Sequence, residues 1–172
     1  MRIGVALISI AAMAAPAAAQ AQGKAIIAMG TEVTLALEGT PGASKPSKIT
    51  PDAFETETGA QFAQGEHQDA MGPVAKPLTG TPRSATPGLV RLRLTPIAGD
   101  KPGSLLVIAN GYDRAFTWQA QIRVAGKMQP TDVCVVMPKK SGVEHWPYAV
   151  ERIVISKMRL EPWKPEDGVR CK

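Results

Sequence analysis

The nine residues from Phe116 to Val124 constrain the fold more than any other part of the chain. Phe116, Trp118, Ala120, Ile122 and Val124 alternate with Thr117, Gln119, Gln121 and Arg123. An apolar residue at every second position gives one dry face and one wet face on a strand, whereas a helix would scatter the same residues around its circumference. The pattern recurs. Val33, Leu35 and Leu37 alternate with Thr34, Ala36 and Glu38, and Val90, Leu92 and Leu94 alternate with Arg91, Arg93 and Thr95. Leu105 to Ala109 is apolar throughout, as in a strand covered on both faces. Ala25 to Met29 reads as a strand before a break at Gly30. Val133 to Met137 and Arg152 to Leu160 read as two more, stopped by Pro138 and Pro162. Turn residues separate these runs at Gly99 to Gly103, Asn110-Gly111, Ala125 to Lys127 and Lys139 to Gly142. No window sustains a helical period. The expectation is an all-β chain, a small immunoglobulin-like β-sandwich, with a small β-barrel as the alternative. The immunoglobulin Cys…Trp…Cys order is absent, because Trp118 precedes both cysteines.

Residues 39–88 differ in character. Pro41, Pro46, Pro51, Pro73, Pro77, Pro82 and Pro87 interrupt any regular element, and apolar residues are isolated. Such a stretch buries too little apolar surface to offset its chain entropy, so it reads as an irregular Pro/Gly/Thr-rich segment. Within it, Thr50-Pro51-Asp52 is a helix start, with Phe54 and Phe62 as the anchors of a short helix. The organisation expected is a signal segment over 1–21, an N-terminal strand region over 22–38, the irregular segment over 39–88 and a β-sandwich domain over 89–172.

The N-terminus has the form of a cleavable export signal. Arg2 supplies a positive start, Ile3 to Ala19 is uncharged, and Ala17-Ala18-Ala19 and Ala19-Gln20-Ala21 place small residues where a signal peptidase needs them. No Cys follows to carry a lipid, and no later stretch approaches the ~20 apolar residues of a membrane span. The net charge of +5 becomes +4 without Arg2. Those charges are scattered, with Lys139-Lys140 the basic doublet in a turn, which argues against nucleic acid as a partner. Cys134 and Cys171, 37 positions apart, are expected to pair in an oxidising compartment.

The chain carries no Gly-x-Ser-x-Gly turn, no Ser-x-x-Lys and no phosphate-binding glycine loop. His67 and His145 are its two histidines, and the methionines do not cluster with them, so neither a metal site nor a cofactor is expected. Met128, Met137 and Met158 read as core filler. Aromatic residues gather after Gly111. Trp118 belongs to a buried strand face. Glu144-His145-Trp146-Pro147-Tyr148 reads as a connection between strands, and two roles fit it. Trp146 and Tyr148 can anchor a ligand or partner, with Glu144 and His145 giving polar direction; or the segment plugs one end of the sandwich. Asp113-Arg114 fits either a charged clamp or a local ion pair. Asp113, Asp132, Glu144 and His145 are the acid–base groups from which an enzyme would be built.

The stretch from Asn110-Gly111-Tyr112-Asp113-Arg114 through Pro130-Thr131-Asp132-Val133-Cys134 to His145-Trp146-Pro147-Tyr148 resembles a group of uncharacterised exported bacterial proteins. The resemblance spans roughly the last 70 residues and implies a compact envelope domain, with no activity, ligand or catalytic residue attached to it.

These readings converge on a non-catalytic exported binding or assembly module of the cell envelope, in the periplasm or outside the cell, with an envelope protein or glycan as partner. The rival is a glycan-directed hydrolase or lyase using acidic residues. The mature chain is expected to begin at Gln20 or Gln22. N-terminal mass spectrometry of the exported protein checks this, and an intact Met1 would refute cleavage.

Overall fold

The computed structural model describes residues 23–64 and 80–172; the expected signal segment and His67 lie outside them. Among the described residues, strands β1 (Ala25–Ala28), β2 (Thr31–Ala36), β3 (Gly42–Ala43) and β4 (Ser47–Lys48) precede helix α1 (Ala53–Ala63). Then come β5 (Val90–Ile97), β6 (Gly103–Asn110), β7 (Ala115–Val124), β8 (Lys127–Thr131), β9 (Ser141–Trp146) and β10 (Arg152–Glu161). One sheet has the order β1-β10-β7-β8. The other has the order β3-β2-β5-β6-β9, with β4 also against β2. All pairings are antiparallel. The two sheets pack face to face as a sandwich and do not close into a barrel.

The alternating residues meet between the sheets. Val33, Leu35, Leu92, Leu94, Leu106 and Ile108 from one face Phe116, Trp118, Ile122, Ile153 and Ile155 from the other. The chain passes from the first sheet to the second at Met29-Gly30, where Gly30 takes φ +73, a conformation glycine adopts without penalty. The N-terminal strands are therefore integral to both sheets.

The described parts of residues 39–88 are less irregular than their composition suggests. Asp52 caps α1: Glu55 N–H donates to Asp52 Oδ1 at 3.0 Å, and Asp52 N–H donates to Glu55 Oε2 at 2.9 Å. The helix lies on the outer face of β5 and β6, where Phe54, Ile97, Leu105 and Val107 form a second core with Phe62 and Val143 against it. That cover explains why β6 is buried on both sides. It also changes the meaning of Arg93. The alternation of β5 suggests a wet face, yet Arg93 is only 5% exposed and Glu55 only 3%. Arg93 Nε and Nη2 donate to the two oxygens of Glu55 at 2.6 and 2.9 Å, and Nη1 donates to Glu32 Oε2 at 2.9 Å. Nη2 also donates to Thr50 O at 3.1 Å. The two carboxylates hold the guanidinium pKa above its ordinary value, the Glu55 hydrogen bond being the largest cause.

Three further findings correct the sequence-based elements. Val133–Met137 is no ladder strand: it makes single bridges, Val136 to Phe116 and Cys134 to Cys171, and crosses between the sheets. β8 carries no strand signal in the sequence, because Lys-Met-Gln-Pro-Thr has no apolar alternation; it is an exposed edge strand among the described residues, and Met128 is 41% exposed rather than core filler. The third is a bulge in β10. Ile153, Ile155 and Met158 all point inward, so the pattern slips by one residue. The register to β7 shifts between Ser156 and Arg159, and Lys157 takes φ 50 to absorb the extra residue. A non-glycine residue held there costs of order 1–3 kcal/mol.

The disulfide joins Cys134 to Cys171 as expected. The C-terminal residues lie antiparallel to Val133–Val135: Val133 N–H donates to Lys172 O at 2.8 Å and Val135 N–H to Arg170 O at 2.9 Å. Closing a loop of 37 residues stabilises by roughly 3–4 kcal/mol in the chain-entropy picture.

Removing Glu55 strands a buried guanidinium and unmakes the cap. Glu55→Ala is expected to cost about 3–5 kcal/mol in urea unfolding. Glu38→Ala, which breaks the exposed pair with Arg114, should cost under about 1 kcal/mol. Equal small losses would mean that the Arg93 network does not hold the helix.

Candidate functional site

The segment Glu144 to Tyr148 is not the connection its sequence suggests. Ser141 to Trp146 forms β9 on the edge beside β6, with His145 opposite Leu105, Glu144 opposite Leu106 and Trp146 opposite Ser104. The alternation was hidden because each face of β9 mixes polar and apolar residues. Val143 and His145 face outward to the helix side, while Glu144 and Trp146 face the interior of the sandwich.

The four residues singled out by sequence therefore do not form one surface. Trp146 is 5% exposed and belongs to the main core, and its Nε1–H donates to Thr131 Oγ1 at 2.9 Å. Tyr148 is half-buried against that core. Ser104 fixes the turn after β9. Its hydroxyl donates to Tyr148 O at 3.0 Å, and its oxygen accepts from Val150 N–H at 2.8 Å. Glu144 Oε1 accepts from Cys134 N–H at 2.7 Å. Burial raises the Glu144 carboxyl above the ordinary range, and the Cys134 hydrogen bond opposes the shift only in part.

His145 alone among the four turns to the helix side. Its ring stacks on Phe62 with centroids 4.1 Å apart and planes 16° from parallel. The stack closes one side of a groove of about 460 Å³ that also involves Ala63, Gly99, Lys101 and Pro147. The groove thus lies where the end of α1, the β5–β6 turn and the end of β9 converge. Phe62 and the turn residues belong to this site too. The sequence placed Phe62 on a helix, but no local signal linked it to a histidine 83 positions later.

The remaining candidates lie elsewhere. Asp113 is exposed and pairs with Lys139 Nζ at 3.0 Å, and Arg114 pairs with Glu38. Both belong to the opposite end of β6 from the groove. Asp132 is exposed in the crossing segment. Among the described residues, no three His, Cys, Asp or Glu side chains form a group able to hold a metal ion. Compared with known families, curated proteins and solved structures, the chain shows no match, so the site is read from its own geometry.

The Glu144 shift sets a pH dependence. The carboxyl titrates higher folded than unfolded, so the unfolded chain releases this proton first as pH rises. Stability from this group is thus complete below the ordinary carboxylate range and is lost as pH climbs through the raised folded value. Glu144→Gln keeps an acceptor for Cys134 N–H and removes the ionisation. Its melting temperature should exceed that of the parent at pH 7 and converge with it at about pH 4 and below. A variant less stable than the parent at pH 7 would show that the site favours the charged form.

Proposed function

We propose that this chain is a non-catalytic exported binding or assembly module of the bacterial cell envelope, working in the periplasm or outside the cell. The groove at the Gly103 end of β6 is the observation that carries the reading. The end of α1, the β5–β6 turn and the end of β9 line it, and the structure around it is held in place: α1 by the Arg93 network, β5 and β9 by their ladders to β6, and the turn after β9 by Ser104. A surface on elements already held in place loses little entropy when it binds. The His145–Phe62 stack and Pro147 offer apolar contact, and Asp100 and Lys101 give a polar rim. An envelope protein or a glycan is the partner class this surface suits.

Export is supported by the sequence from Arg2 to Ala21 and by the bonded cysteine pair, which fits an oxidising compartment. Among the described residues, no helix is long and apolar enough to cross a membrane. The rival, in its hydrolase form, needs two carboxylates facing one another across a cleft, about 5–9.5 Å apart. Glu144 and His145 lie on opposite faces of β9, and Asp113 sits at the far end of β6. Those positions favour the module.

Photo-crosslinking in cells tests the site. A photoreactive residue replacing Pro147 is expected to trap one discrete envelope component, and the same residue at Asp113 is not. Phe62→Ala should reduce trapping from position 147. Equal trapping from both positions, or none from 147, would move the binding surface elsewhere. Trp146→Ala is unsuitable as a binding variant, because emptying its core position is expected to cost about 3–5 kcal/mol of stability.

A further inference from the structure

A second site lies on the other sheet, beside the disulfide. The bulge in β10 turns Lys157 outward, away from the core position that strict alternation after Ile155 would give it. Arg159, opposite Thr117 on β7, is exposed on the same stretch. The C-terminal residues add two more cations. Arg170 and Lys172 flank Cys171, and the disulfide with the backbone hydrogen bonds to Val133 and Val135 holds both in place. These four side chains line one cleft of about 310 Å³. Trp118 anchors its wall, with Nε1–H donating to Cys134 O at 3.1 Å.

The charges there are not balanced internally. None of the four cations pairs with a carboxylate of another described residue. Glu161 is the one acidic side chain lining the cleft, and its Oε1 accepts from Thr117 Oγ1 at 3.2 Å. Counting an α-carboxylate on Lys172 as well still leaves an excess of two positive charges. Like charges gathered this closely repel one another unless an anion sits among them. Two guanidinium forks and two ammonium groups match an anion with several oxygens and about two negative charges. A phosphoryl group has both properties, and a single carboxylate has neither.

From this we infer that the cleft binds a phosphoryl dianion, as a phosphomonoester or diphosphate. The bulge and the disulfide are the two devices that assemble it: one turns Lys157 out of the core, and the other fixes a tail that would otherwise carry Arg170 and Lys172 away.

Titration calorimetry of the full mature chain with pyrophosphate is the first test. Binding at one site is expected, with Kd below about 1 mM in low salt. Arg159→Gln with Arg170→Gln should weaken it by about tenfold or more while circular dichroism and melting temperature stay unchanged. Lys157→Gly separates binding from folding. Glycine accepts the positive φ, so the variant should melt no lower than the parent and yet bind pyrophosphate several-fold more weakly. No binding by the parent, or the same affinity in all variants, overturns the assignment. Glucose 1-phosphate and phosphatidic acid vesicles then distinguish a soluble phosphorylated sugar from a lipid headgroup. Binding to one and not the other names the source, and binding to neither overturns the monoester form and leaves the diphosphate.

Discussion

The guanidinium of Arg93 is the point on which the second layer of this protein rests. It is buried between a strand and a helix, and it donates four hydrogen bonds, to Glu55, Glu32 and the Thr50 carbonyl. An ion taken out of water is stabilising only when its partners are complete, so the network acts as a condition on the whole arrangement. Glu32 must come from β2, Glu55 from α1 and Thr50 from the chain just before the helix. When they meet, α1 has one place to sit, and Phe54 covers Leu105 and Val107. Phe62, two turns further along, then reaches His145. The groove is thus a downstream result of an ion pair that does not line it.

The same carboxylate works twice. Glu55 accepts from Arg93 and also closes the capping box with Asp52. The first turn of the helix and its docking on the sheet are therefore coupled, and a short helix with a weak apolar face holds its position because its cap and its anchor to the sheet share one residue. This economy fits a segment too poor in apolar residues to fold on burial alone.

Strands with two distinct faces were legible from residues alone. β2, β5, β6, β7 and the first half of β10 carry period two or a continuous apolar run, and each lies where its pattern places it. What escaped was structure whose face is not encoded in polarity. β8 is polar all round because it is an edge. β9 mixes both kinds of residue because one side meets a helix and the other a core that contains Glu144. Arg93 reads as solvated because charge usually is, and only the helix start at Thr50-Pro51-Asp52, about 40 residues earlier in the chain, hints at a cover. The sequence reads Arg152 to Leu160 as one unbroken strand, and the slip from Ile155 to Met158 emerges only from its pairing with β7. Of the aromatic segment, the sequence located the neighbourhood but not the orientation: the neighbour relations that turn Trp146 inward and His145 outward come from pairing with β6.

The rim of the first sheet has a consequence of another kind. Among the described residues, no strand pairs with the outer side of β8, an invitation for a second molecule to add a strand there. Pro130 removes one donor from that row, and Lys127 places a charge at its start. A chain that folds in company with many copies of itself meets this hazard at every folding event. The proline and lysine make that border a poor template, so the weakest-looking strand of the molecule is the one that guards it against growing into a fibril.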